Sequence, residues 1–256
     1  MKLKTNISYL FFFSCITLLC CSNTDDLTQN PEIIITTNND NPENDNNSDD
    51  ENNNEAEFKI LALGDSYTIG QSVCETCRFP EQLKDSLIAN TDHTYNLQVI
   101  AQTGWTTTNL KNAINNQNPN NNKDLVTLLI GVNNQYQHKP FSLYEQEFIE
   151  LLNTSIVFAK GDKANVIVVS IPDYAYTPFG QNGSNPAVIS AEIDQYNAYA
   201  ENYCMANDIT YVYITDITRE GLNNPNLVAS DDLHPSKLAY SKFVELILPF
   251  ALQKLN

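Results

Sequence analysis

What most constrains this chain is an alternation that fills residues 58–256: short runs rich in Val, Ile and Leu, each followed by a longer stretch with helical spacing of its apolar residues. The short runs are bounded by polar or breaker residues and predict strands over 59–63, 96–101, 125–130, 165–170 and 210–214. The amphipathic stretches predict helices over 80–90, 107–115, 142–158, 187–206 and 236–255. Strand and helix taken in turn imply a parallel sheet with helices on both faces, because each crossover must bring the chain back to the same end of the sheet. The expected class is therefore α/β, with five parallel strands in one domain of about 200 residues, enough for a single core. No internal repeat is evident.

In such a sheet the loops that follow the strands gather at one edge, where open α/β sheets bind ligands. Four loops qualify, over 64–73, 102–106, 131–140 and 171–186. The first breaks the apolar run 58–63 with Gly64-Asp65-Ser66, which places a serine hydroxyl at that edge.

Residues 1–57 read differently. Lys2 and Lys4 precede an apolar run through Leu19, an export leader expected over 1–20 and too short to be read as a spanning helix. Leu18-Leu19-Cys20-Cys21 resembles a bacterial lipobox, with Cys21 as the lipidated first mature residue, and Ser22-Asn23-Thr24-Asp25-Asp26 resembles the acidic sequence that directs Bacteroidetes lipoproteins to the outer surface. An ordinary secretory signal cleaved nearby is the alternative. Residues 21–57 are expected to be a solvated tether: from Ser22 to Glu57 there are 11 acids and no Lys or Arg, a composition that cannot bury enough apolar surface to offset chain entropy. The expectation is an exported protein held at the outer membrane through Cys21, with no other membrane contact.

The remaining domain carries 20 acids against 12 bases, about −8, which argues against nucleic acid as a partner, since phosphate binding needs a basic face. In an exported protein Cys74-Glu75-Thr76-Cys77 is expected to be a local disulfide. It lacks the second Cys or His pair that a tetrahedral zinc would need, so neither a metal nor another cofactor is expected. Cys204, inside a helical pattern, reads as a small buried hydrophobe.

A nucleophilic serine needs a base, a group to orient that base, and donors for the developing oxyanion. His234, in Asp231-Asp232-Leu233-His234-Pro235, is the candidate base, because an imidazole titrates near neutrality and an acid three residues earlier can turn back to its Nδ1. Asp231 is the choice over Asp232 for that role. The candidate oxyanion donors are the backbone N–H groups of Ser66 and Gly104 and the side-chain amide of Asn133. Taken singly each has a plainer explanation: Asp231 as a loop acid, Gly104 as a turn, Asn133 and Asn134 as helix caps.

Gly64-Asp65-Ser66, Gly104, Gly131-Val132-Asn133 and Asp231-Asp232-Leu233-His234, in that order, resemble the four blocks of the GDSL or SGNH hydrolases. The resemblance spans residues 58–256. It implies a flavodoxin-like three-layer α/β/α sandwich, Ser66 and His234 assisted by Asp231, and an oxyanion hole from Ser66, Gly104 and Asn133. Two departures stand out: Asn134 occupies the place of the family's Asp in the third block, and Tyr67 follows Ser66 where the family name has Leu.

The implied activity is hydrolysis of short acyl esters, carbohydrate O-acetyl among them, through an acyl-enzyme on Ser66. The alternatives are a lysophospholipase or lipase-like acylhydrolase, an acyltransferase, and a surface binding lipoprotein without turnover. The aromatic loop 171–180, with Tyr174, Tyr176 and Phe179, is one expected wall of the substrate mouth, and Trp105 beside Gly104 is either a substrate platform or a packed anchor. The expected partner is a small-molecule or glycan ester.

Overall fold

The computed structural model describes residues 57–182 and 185–255. The expected leader, Cys21 and all of the tether but its last residue lie outside them. Glu57, counted with the tether in the sequence, instead opens β1 (Glu57–Gly64), its backbone pairing with Thr94 while its charged side chain stays in solvent.

The other strands are β2 (Thr94–Ala101), β3 (Leu125–Leu129), β4 (Val166–Val169) and β5 (Thr210–Val212). All pairings are parallel, in the order β2-β1-β3-β4-β5. Ile60 to Gly64 and all of β3 and β4 are buried, so these strands read as continuous apolar runs rather than as an alternation. Each fully buried Leu or Ile there contributes roughly 1.5–3 kcal/mol.

Between the strands run α1 (Ser66–Ile69), α2 (Phe79–Asn90), α3 (Thr107–Gln117), α4 (Val132–Tyr136), α5 (Phe141–Phe158), α6 (Pro178–Gln181) and α7 (Pro186–Ala206), and after β5 come α8 (Thr215–Arg219) and α9 (Lys237–Leu255). Helices α2 and α9 pack on each other and form one layer, and α3, α5 and α7 form the second. The result is the expected flavodoxin-like three-layer sandwich with a five-stranded parallel sheet. Tyr240 and Phe243 of α9 meet Phe79 of α2 in one half of the core, while Tyr144 and Phe148 of α5 meet Tyr196 of α7 in the other. Cys204 is buried and unpaired in α7.

The strands stop short of the expected ends at Ile130, Asn165, Ser170 and Ile214, and at Asn165 and Ile214 the local reason is visible. Asn165 belongs to a 3₁₀ turn, Lys163–Asn165, whose N-cap Asp162 accepts from Ala164 N–H. At the other end, the Ile214 N–H turns away from the sheet to Ser170 Oγ at 2.8 Å, and Thr215 opens α8.

The register aligns the strand ends: Gly64 pairs with Ala101 on one side and with Leu129 on the other. The chain leaves β1 towards β2 and returns to place β3 on the opposite side, so the strand order reverses between β1 and β3. In an open sheet that switch point is where a crevice forms and ligands bind. The residues that follow β1 begin with Asp65-Ser66, and those that follow β3 reach Asn133.

Candidate active site

Ser66 is the first residue of α1, so its N–H has no partner within the helix. Asp65 caps that helix: its carboxylate accepts the Tyr67 N–H at 3.0 Å and its carbonyl accepts from Thr68 and Ile69. The turn can be this tight because position 64 is glycine. A Cβ there would stand 2.1 Å from Thr68 Oγ1 and 2.5 Å from the Leu129 carbonyl oxygen. Gly104, at φ +82°, sits in the left-handed region that glycine enters at little cost, and its N–H has no hydrogen-bond partner among the described residues.

Asn133 lies in the first turn of α4 and donates from Nδ2 to Asp65 Oδ2 at 3.4 Å. Its neighbour Asn134 points the other way, into the protein. There Oδ1 accepts the Thr107 N–H at 2.9 Å and Nδ2 donates to Thr107 Oγ1 at 2.7 Å, and that hydroxyl donates on to Glu147. An amide can accept and donate at once, whereas the Asp usual at this position in the family could only accept when ionised. The Asn134 departure therefore serves α3 and α5, away from the chemistry.

The segment bearing His234 is a built loop. Ala229 N–H donates to the His234 carbonyl at 2.7 Å, Ser236 N–H donates to Leu227 at 2.9 Å, and Asp232 takes φ +62°. Asp231 receives four hydrogen bonds. Its Oδ1 accepts the N–H groups of Leu233 and His234 at 3.1 and 2.9 Å, and its Oδ2 accepts Ser72 Oγ at 2.5 Å and pairs with His234 Nδ1 at 2.6 Å. Partial burial by itself would raise the Asp231 carboxyl; the donors from Ser72, His234 and Leu233 outweigh it and hold the group down at about 2. An ionised carboxylate only accepts, so Nδ1 of His234 donates to it, which in a neutral imidazole makes Nε2 the acceptor.

A cavity of about 320 Å³ joins these parts. Ser66, Gly104, Asn133 and His234 line it together with Tyr67 and Thr103, and Val132, Tyr136, Tyr174, Phe179 and Leu233 give it apolar walls. No hydrogen bond joins Ser66 Oγ to His234 among the described residues, and such contacts often tighten only when substrate binds. The Tyr67 ring packs on His234 at a centroid separation of 5.1 Å.

The expected aromatic wall divides. Tyr174 and Phe179 line the cavity, but Tyr176 faces elsewhere, and Trp105 packs half-buried against the hydrophobic core, so the lining stops at Gly104. Tyr136 is an addition from α4: half-exposed, with its ring 5.9 Å from Tyr174 and 6.1 Å from Phe179. The wall is held from behind by buried Asp173, which accepts from Ala175 N–H, Ser190 Oγ and Arg219 Nε. Phe179 N–H donates to the Asp232 carbonyl at 3.0 Å, tying the wall to the histidine loop.

Ser72, Asp65 and Tyr136 escape a sequence reading. Ser72 is anonymous in a polar loop, at φ +67° and just before Cys74 and Cys77, which the structure joins in a disulfide. Asp65 is fully buried, and with few donors to offset that burial its carboxyl is pushed up to about 7. Among the described residues no cluster of three or more His, Cys, Asp or Glu side chains is placed to hold a metal ion, and no described helix is long and apolar enough to cross a membrane.

Fold and site together define a hydrolase built at the carboxyl edge of an open parallel sheet. The chain belongs to the GDSL-like lipase/acylhydrolase family, whose model matches residues 62–242. Solved structures share the fold at low identity. A lipolytic G-D-S-L family protein from Veillonella parvula is 16% identical, with a TM-score of 0.58 over 75% of this chain and 97% of its own. A lipase/acylhydrolase from Enterococcus faecalis is 19% identical, with a TM-score of 0.57 over 75% and 94%. An acetyl xylan esterase from Geobacillus stearothermophilus is 17% identical, with a TM-score of 0.52 over 76% and 94%. No curated protein matches the chain in sequence.

Proposed function

We propose that the chain is a serine esterase that cleaves short acyl esters, O-acetyl groups on carbohydrate among them, through an acyl-enzyme on Ser66. The observation that carries this reading is the 2.6 Å pairing of Asp231 with His234 on the wall of the cavity that also holds Ser66. In this mechanism Ser66 Oγ attacks the ester carbonyl as His234 Nε2 takes its proton, and Asp231 steadies the imidazolium through Nδ1. The oxyanion is received by the N–H groups of Ser66 and Gly104 and by the Asn133 amide. The alcohol departs with the proton from His234, and water, activated by the same imidazole, resolves the acyl-enzyme.

A second reading, an acylhydrolase of longer chains, is favoured by the apolar walls from Val132, Phe179 and Leu233. Each methylene seated there would contribute about 0.8 kcal/mol. The test is a series of p-nitrophenyl esters from acetyl to dodecanoyl beside acetylated polysaccharide, with Ser66→Ala as control. A maximum at acetyl supports the short-chain reading, and a long-chain maximum replaces it with the second. Hydrolysis retained by Ser66→Ala would remove both.

Anchoring at the outer surface through Cys21 belongs to the same proposal and rests on the leader sequence alone. It is checked by the mass of the mature N-terminus, which an ordinary signal cleavage would leave without lipid.

A further inference from the structure

Resting on the esterase reading, we propose that Ser72 is a positioning residue for the acid–base pair: its hydroxyl clamps the Asp231 carboxylate that aims His234. Ser72 and Asp231 are 159 residues apart in sequence, and the hydroxyl reaches Oδ2 at 2.5 Å. That same oxygen pairs with His234 Nδ1, so the two donors share one acceptor and together fix the rotation of the carboxylate about its bond to Cβ. The backbone N–H groups on Oδ1 come from residues 233 and 234, within Asp231's own loop. Of the donors to the Asp231 carboxylate, Ser72 is the one that comes from outside this loop.

The segment that carries Ser72 is short and constrained. It starts from the nucleophile itself: Gly70 and Gln71 N–H groups both donate to the Ser66 carbonyl, at 3.1 and 3.0 Å. Gln71 is held by Thr103 Oγ1 at 2.5 Å, beside Gly104, and two residues beyond Ser72 the Cys74–Cys77 disulfide closes the next turn. Ser72 thus links nucleophile and base through a short stretch of chain and one hydrogen bond.

At φ +67° a serine is less comfortable than glycine or asparagine. That conformation separates the two roles the residue could have. If Ser72 served only the backbone, glycine would do better; if the hydroxyl matters, glycine relieves the backbone and loses the clamp. The ionisable groups beside the pair are Tyr67, whose ring packs on His234, and Tyr240, both close enough to Asp231 to feel its charge. Neither donates a hydrogen bond to Asp231 in place of Ser72.

The experiment compares the full mature protein with Ser72→Gly and Ser72→Asn, using p-nitrophenyl acetate, thermal unfolding and the far-downfield proton resonance of His234 Nδ1–H recorded without substrate. Ser72→Gly is expected to unfold at the same temperature or higher, to lose roughly tenfold in kcat with KM within about twofold, and to shift or broaden that resonance. Ser72→Asn, which tolerates this φ and carries an amide donor, is expected to recover most of the loss. A glycine variant with wild-type kcat and an unmoved resonance overturns the proposal, as does a rise confined to KM or an asparagine variant no better than glycine. If the wild type hydrolyses no ester, the esterase reading fails, and the resonance alone still decides whether Ser72 clamps the pair.

Discussion

Replacing Asp65 by asparagine should make the fold more stable at alkaline pH and its chemistry slower. Asp65 is fully buried, the donors from Tyr67 N–H, the Asn133 amide and its own N–H do not offset that burial, and its carboxyl is raised from 3.8 to about 7. Nearby Tyr67 and Tyr240 are pushed upward by burial and stay neutral across this range. Because the folded state holds the Asp65 proton more tightly than the unfolded chain, stability falls as pH rises from the unfolded value to about 7, and the whole cost is present above it. That rise of the carboxyl corresponds to a cost of about 4 kcal/mol at pH 8 and about 2 kcal/mol at pH 5. The Asp65→Asn variant carries no charge at this position and escapes the cost, so its stability advantage over the wild type should grow by about 2 kcal/mol between those two pH values. Urea unfolding followed by Trp105 fluorescence at both pH values measures it. Turnover should fall, because the new amide presents donors where Asn133 now donates, and the Asn133 amide must turn to meet them. An advantage that is the same at both pH values would mean Asp65 is ionised throughout, and the reasoning from burial would be refuted.

Three further variants test the geometry. Asn133→Ala should lower kcat for an activated ester by roughly 10² to 10³ while the circular dichroism spectrum is unchanged, since it removes one oxyanion donor. Asp231→Asn should cost about 10⁴ in kcat, because an amide can turn its NH₂ towards His234 and favour the wrong tautomer. The same variant should lessen the acid lability of the protein: a depressed carboxyl stabilises the fold above its unfolded value of 3.8 and loses that contribution as pH falls towards about 2, as acid unfolding curves would show. Gly64→Ala drives a methyl group into Thr68 Oγ1 and the Leu129 carbonyl and should cost about 3 kcal/mol in urea unfolding.

The long elements of this chain were legible because each carries several turns or several buried pairs of one period, as the twelve residues of α2 and the continuous Leu125–Leu129 run do. Helices α1, α4, α6 and α8 were not, since four or five residues hold too little periodicity to separate from a turn. Ser66, Gly104 and Asn133 could be picked out by residue type after strand ends, and His234 by the acid three residues before it, and the structure brings all four to one cavity. Ser72 could not, because its significance is a hydrogen bond across most of the domain. Asp65 looked like a strand breaker, and its burial depends on three strands ending in register. Trp105 and Tyr176 show the converse: adjacency in sequence to a site residue says nothing of which way a ring turns at a loop.

The closeness of Ser72 to Asp231, so distant along the chain, bears on when this hydrolase comes into being. Ser66 lies near the start of the domain and His234 just ahead of α9, whose packing against α2 joins the domain's first long helix to its last. Closing so long a loop has an entropic cost that local contacts do not carry, so the pairing is expected to form late, with the last helix in place. On the esterase reading proposed above, ester cleavage should return only as the fold is completed, and its recovery in a refolding experiment would serve as a clock for the docking of α9.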